Sequence, residues 1–290
     1  MKMYQQLLLA FVLAIKTNAQ ESTPPVTIQA GLLSGGMNCF TDLGGQASSS
    51  GLAAIDLRLA DTRPVAGMYG LLSWKHRISL QPSVMTGSVA AADHSLGDKA
   101  DDPGGRYIRN LSFRSHISEV RLLVEGGVFN KWWYGEEGIH RLTVGVCAGV
   151  SLFHFNPVTK MDGALYKLRD FHLEGQGFDE FPSRSVYRRT QLSIPVGFVV
   201  RRLLTSRFCF AAEFSYRFLF TDYLDDVSET YIDPALFSKY LATEPARIAR
   251  MLQFRTPELV NATFPLHQPR GNAAKKDAWF SFGLKAGVSL

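Results

Sequence analysis

From Ala278 to the last residue, Leu290, the chain alternates without a break. Ala278, Phe280, Phe282, Leu284, Ala286, Val288 and Leu290 take every second position; Trp279, Ser281, Gly283, Lys285, Gly287 and Ser289 fill the gaps. A β-strand sends successive side chains to opposite faces. This stretch therefore has one apolar face, and another that is small, polar or charged apart from Trp279. The pattern recurs at 142–152, 208–220, 120–128 and 192–200, and more weakly at 26–33, 64–73 and 77–91. That makes eight strands, an even number, as bacterial single-chain barrels have. Beyond the first twenty residues there is no run of 18 apolar residues, so a membrane-spanning chain of this kind has to be a closed barrel. The expected fold is all-β: a transmembrane antiparallel β-barrel of about eight strands with long extracellular loops. A soluble β-sandwich would alternate too, but the aromatic load of 208–220 and the lack of a disulfide pattern speak against it.

Composition fits that reading. Mean hydropathy is −0.02 with 46% hydrophobic residues. Eight strands of about ten residues put only ~80 residues in the bilayer, leaving the rest to turns and loops. Residues 1–19 read as a cleaved secretory leader, with Lys2 at its head, an apolar stretch over 7–15, and Thr17-Asn18-Ala19 before a cut at Gln20. A stretch that short does not span a membrane. The alternative is a buried N-terminal helix. No cysteine stands at the cut to carry a lipoprotein anchor. Loss of Lys2 and Lys16 lowers the formal charge from +5 to +3. With export and dispersed Lys and Arg, nucleic acid is excluded as a partner. Cys39, Cys147 and Cys209 form neither a disulfide framework nor a metal knuckle.

The strand assignment carries its own check. With both chain ends in the periplasm, the second, fourth and sixth connections face that side, at 74–76, 131–139 and 203–206, and all are short. The other four are long, as barrel architecture requires. Glu119, Arg121, Glu125, Glu213 and Arg217 then point into a lumen that eight strands leave too narrow for an open pore. Trp132, Trp133 and Tyr134 fall in a short turn, at the membrane interface, where aromatic anchors suit a periplasmic partner. The seventh connection, 222–276, is too long to be structureless. Its 234–254 stretch reads as helical pieces interrupted by Pro245.

Few motifs point to chemistry. Asp222, Asp225, Asp226, Glu229 and Asp233 offer hard oxygen ligands, but the EF-hand spacing is missing. The reading favoured is a segment that caps a helix or docks a neighbouring loop rather than a metal site; two close carboxylates could also do acid–base work, but no aromatic platform for a sugar is evident beside them. His116 and Ser118 are predicted to face outward near the outer rim. A lipid-facing Ser and His resemble outer-membrane lipid A deacylases, which also need an acid to orient the His. No Asp or Glu stands at the matching height. Two interfacial polar residues are the simpler reading. No cofactor fingerprint is present, and none is expected.

Three stretches resemble one family together. They are Arg109-Asn110-Leu111-Ser112-Phe113 before the fourth strand, TDYLDDVS over 221–228 after the seventh, and Arg270-Gly271-Asn272 ahead of the eighth. This combination is similar to the PorG-like outer-membrane β-barrel family of Bacteroidota, whose namesake belongs to the type IX secretion system that also serves gliding motility. The resemblance implies a non-enzymatic protein of the outer membrane, bathed in its lipid. It would anchor a periplasmic ring made of a lipoprotein and its soluble partner. It makes Trp132, Trp133 and Tyr134, or alternatively Asp222, Tyr223, Leu224, Asp225 and Asp226, the expected partner contacts. Two further functions are carried: a stand-alone surface barrel for adhesion or small hydrophobic solutes, and a lipid-modifying enzyme using His116 and Ser118.

Overall fold

The computed structural model describes residues 26–44, 59–74, 78–96, 106–135, 138–205 and 207–290; within 130–141 only backbone is described. The leader expected at 1–19 lies outside these residues.

Eight long antiparallel strands close into a barrel. They are β1 (Val26–Phe40), β2 (Arg63–Trp74), β3 (Ile78–Ala92), β4 (Ser112–Gly135), β5 (Gly138–His154), β8 (Thr190–Leu203), β9 (Phe208–Leu219) and β10 (Ala278–Ser289). Two short strands, β6 (Pro157–Met161) and β7 (Ala164–Lys167), form a hairpin after β5. Neighbours pair in the order β3-β2-β1-β10-β9-β8-β5-β4, and a β3–β4 ladder closes the ring. Closure pairs every strand on both sides and so leaves the wall no edge in lipid. No helix among the described residues is long and apolar enough to cross a membrane.

The alternation decides which way each side chain faces. Val120, Leu122 and Val124 are exposed on the outer wall, while Glu119, Arg121 and Glu125 between them are buried inside. Phe208, Phe210 and Phe218 likewise face out, and Glu213, Ser215 and Arg217 face in. The outward apolar residues form the kind of belt that a transmembrane barrel presents to lipid. Phe280 shares the outward parity of Phe282 yet is 4% exposed. It is covered by Phe40 and Phe214, with ring centroids 5.5 and 5.6 Å away.

Several boundaries differ from the sequence reading. β1 runs seven residues past the 26–33 core. β4 and β5 reach Gly135 and start at Gly138. The strands thus take in most of the expected 131–139 turn, and Trp132, Trp133 and Tyr134 lie in β4, opposite Arg141, His140 and Ile139. The β6–β7 hairpin was not foreseen. It turns on Asp162 and Gly163, both at positive φ, the two-residue geometry Asp-Gly favours.

The long connections fold over the barrel end opposite the chain termini. Among their elements are the short helix α1 (Arg106–Arg109), the β6–β7 hairpin, and helices α2 (Phe237–Tyr240) and α3 (Thr243–Gln253). The break between α2 and α3 falls at Leu241–Ala242, not at Pro245. That proline sits in the first turn of α3, where its missing N–H has no helical partner to lose. Ala246, Ala249 and Leu252 give α3 one buried face. One apolar core joins the loops to the barrel, from Met37, Ile117, Phe153 and Trp279 within the upper lumen to Leu173, Leu224, Ile232 and Phe237 above it.

Candidate functional site

Two polar assemblies lie along the barrel axis. The first fills the lumen on the side of the termini. Arg121 reaches Glu213 at 2.6 Å and Ser83 at 2.7 Å. Lys285 also pairs with Glu213 and donates to Gln81 Oε1 at 2.7 Å. Arg201 makes a bidentate pair with Glu125 at 2.6 and 2.8 Å. Arg217 pairs with Glu119 at 2.9 Å and lies over the Trp279 ring, 4.1 Å from its centroid. Every one of these ions is nearly inaccessible. Buried ions persist only when paired and hydrogen-bonded, so the partners lock one another in place. The interlocked side chains of these pairs occupy the lumen at this level.

The second assembly ties the capping loops together. Arg109 donates from Nε and Nη2 to Asp93 at 2.7 and 2.8 Å, and reaches the carbonyls of Asp42 (2.7 Å) and Arg270 (2.6 Å). It thereby touches three of the four long connections. Arg270 donates to Glu174 at 3.0 Å and to the carbonyl of Asp226 at 2.7 Å. Glu174 accepts the amides of Ser228 and Glu229 at 3.0 and 2.9 Å. Asp225 accepts the amides of Leu43 and Val227, and Asp277 that of Leu224. Asp226 stands at φ 67°, a left-handed turn that Asp tolerates, and its Oδ1 accepts from the Tyr187 hydroxyl at 2.7 Å. Gly271 is required by close approach, because a Cβ there would meet Asp42 Oδ2 at 2.5 Å and Ser228 N at 2.8 Å.

Burial raises the carboxyls of this cap. Asp226 and Asp222 are both pushed up to about 7, mainly by desolvation, although Arg270 works against the rise at Asp226 and the Ser228 hydroxyl at Asp222. Asp225 and Asp277 are held well above the ordinary range by burial, with nearby carboxylates adding to it.

The motif residues thus converge. Arg109, Asn110, Asp225, Asp226, Arg270, Gly271 and Asn272 are brought into one cap. Asn110 donates to Glu258 at 2.9 Å from a φ of 59°, and the amide of Asn272 donates to Asp42 at 2.6 Å. Leu111 and Phe113 lie in the apolar core, and Ser112 bonds Thr159 at 3.1 Å. The block expected as a partner surface is turned inward. Asp222, Leu224, Asp225 and Asp226 are buried, and only Tyr223 is partly open. Their groups serve the chain's own loops, because a desolvated carboxylate has to find donors nearby. Glu174, Tyr187 and Asp93 are equal members of the assembly that sequence reading missed. Glu174 and Tyr187 bond groups of another connection, Asp93 bonds Arg109 and Leu111 of its own as well as Gly44 of another, and no local pattern marks any of the three. No group of three metal-ligating side chains occurs among the described residues.

His116 and Ser118 do face outward near the capped end. His116 Nε2 lies 3.0 Å from Thr86 Oγ1, and Ser118 stands across from Thr86 and His154 in the ladders. His154 in turn bonds Thr190 at 3.0 Å. This outward row is hydroxyls and imidazoles with no carboxylate in hydrogen-bond contact with His116 among the described residues. It marks the polar border of the apolar belt.

At the other end the β4–β5 hairpin overshoots its neighbours. The β3 ladder ends at the Ile78–Gly126 pair, and that of β8 at Leu203–Arg141. Beyond these pairs the hairpin stands clear of the ring, and the β3-facing edge of 127–135 has no strand partner among the described residues. Trp132, Trp133 and Tyr134 are in this stretch.

No family model matches the sequence, and no curated protein matches it. Solved structures similar to it include Ail, the attachment invasion locus protein of Yersinia pestis. In complex with the heparin analogue sucrose octasulfate it aligns at 9% identity and TM-score 0.35, and alone at 8% and 0.31. Both alignments cover 91% of this chain and 97% of Ail. Likeness at that level carries no argument, and the barrel stands on its own ladders.

Proposed function

We propose that the chain is a non-conducting barrel of the outer membrane that works as an anchor. Its capped end faces outward and its protruding hairpin faces the periplasm. The observation that carries this is the filled axis. A lumen crossed by interlocked ion pairs and topped by an apolar core leaves no route for cargo or ions, so the useful surfaces are the ends and the belt.

The specific reading follows the resemblance: a structural component of a type IX-like secretion and gliding apparatus, holding a periplasmic ring of lipoprotein and soluble partner. The overshoot of β4–β5 supports it. A free strand edge is a template for an added strand, and aromatic residues make strong anchors. The test is photo-crosslinking in native outer membranes, with the crosslinker at Trp133 in one strain and at Lys275 in the cap in another. Recovery of periplasmic ring proteins from the first position alone is expected. Absence of any periplasmic product from the hairpin overturns the scaffold reading. The structured cap favours one second reading, a stand-alone surface barrel, which would give crosslinks only from Lys275.

A further inference from the structure

A cavity of about 610 Å³ opens on the side of the cap, between the segment entering β8 and the segments flanking β9 and β10. Phe220 lines it and is 62% exposed, so the cavity opens beside the upper border of the apolar belt. Its size falls in the ~300–1,000 Å³ range of small-ligand clefts. Three features of its wall point to one ligand class.

The first is an unsatisfied acceptor. Asp222 lines the cavity and is only 2% exposed. Its Oδ2 accepts from the Ser228 hydroxyl at 2.8 Å, while Oδ1 has no partner among the described residues. Buried polar atoms are nearly always bonded, and this one belongs to a side chain of the cavity wall. The second is an aromatic wall. Tyr223 and Tyr187 both line the cavity and stack with centroids 4.9 Å apart and planes at 11°, so the ring is held rigidly by a neighbour from another loop. The third is charge balance. The charged residues of the lining are Arg188 and Lys276 against Asp222 and Glu229, and this wall favours neither an anion nor a cation.

We infer that this cavity binds a neutral sugar residue of a glycan at the cell surface. Its hydroxyls donate to Asp222 Oδ1 and its C–H face lies against Tyr223. An apolar solute would leave Asp222 unsatisfied. A divalent ion would find two carboxylates and no third ligand of its kind in the lining. A sulfated or phosphorylated ligand would bring its charge against Asp222 and Glu229. The site is independent of the periplasmic scaffold reading, and either stands if the other fails.

The experiment uses the full-length barrel in nanodiscs on a printed array of neutral hexose and N-acetylhexosamine oligosaccharides, with sulfated oligosaccharides alongside. A neutral hit is then titrated by calorimetry. The expected result is saturable binding of at least one neutral oligosaccharide. Binding should weaken at least tenfold in Asp222→Asn, which keeps the side-chain shape, and at least threefold in Gln191→Ala, another residue of the cavity lining. An unchanged tryptic pattern of the cap shows that each variant is folded. If Asp222→Asn fails that control, Gln191→Ala decides alone. The proposal is overturned if no neutral oligosaccharide binds, if only sulfated ones bind, or if the folded variants bind within twofold of the parent.

Discussion

The lower lumen and the cap are both buried, charged and hydrogen-bonded, and they are assembled from different kinds of contact. In the lumen, side chain meets side chain: Arg121 with Glu213, Arg201 with Glu125, Arg217 with Glu119. Every member sits on a strand whose height and facing the ladder sets. In the cap, side chain meets backbone: Arg109 on two carbonyls, Glu174 on two amides, Asp225 on two more. Loops lack a ladder of their own, so their amides and carbonyls have to be satisfied by side chains. The lumen's charges fill a rigid frame, whereas the cap's charges are the frame.

Breaking each assembly should therefore have a different reach. Glu213→Gln leaves the buried Lys285 and Arg121 without their common carboxylate. Removing one member of a buried pair costs about 3–5 kcal/mol. The whole barrel should lose urea resistance by that amount, read from the heat-dependent gel shift of the closed form. A variant as stable as the parent would mean that the lumen tolerates unpaired charge, hence water.

Arg109→Ala should act locally. Hydrogen bonds to charged groups are worth about 1.5–3 kcal/mol, and several are lost at once, but they join loops and not wall strands. Limited proteolysis should cut within 220–277 while the gel shift of the barrel persists. Equal loss in both readouts would erase the distinction between frame and filling. Gly271→Ala probes the same seam more gently. The added methyl presses on Asp42 and Ser228 and should cost about 1–3 kcal/mol by overpacking, again visible only in the cap.

The same contrast explains what was legible in the sequence. Period-two alternation is imposed residue by residue, so Glu119, Arg121, Glu125, Glu213 and Arg217 could be assigned to the lumen before any coordinates. The cap depends on pairings between loops 40 to 230 residues apart, such as Asp42 with Asn272, and no spacing rule encodes those. For TDYLDDVS the sequence leaves a docked segment and a partner contact both open, and only the structure shows Asp222, Leu224, Asp225 and Asp226 buried against the chain's own loops. The aromatic platform beside Asp222 escaped notice because its second ring, Tyr187, arrives from the third long connection. The β6–β7 hairpin did leave a signal, since Asp162-Gly163 is a strong two-residue turn. The length of β4 left none, because Trp132 to Tyr134 read as a girdle at a turn as well as they read as strand.

Acidity offers the mildest way to separate the two assemblies. Asp226 and Asp222 have folded values of about 7 against an ordinary 3.8. Below about pH 3.8 both carboxyls are protonated whether the cap is closed or open, and they contribute no difference. Between 3.8 and 7 the closed cap keeps protons that the open cap releases, so closure weakens as pH rises through this window; above 7 the full penalty is present. Moving from pH 8 to pH 6 should recover on the order of 1 kcal/mol per group. Hydrogen exchange across 220–233, corrected for the intrinsic rate and referenced to β8, should slow at the lower pH. Asp226 is the sharper probe, since it is fully buried; its Oδ2, like Asp222 Oδ1, has no partner among the described residues, an arrangement suited to a neutral carboxyl. Asp226→Asn should flatten its share of the response. Protection that is unchanged or lost on acidification would mean these carboxyls stay ionised in the closed cap, and the loops would then be held by ion pairs in the manner of the lumen.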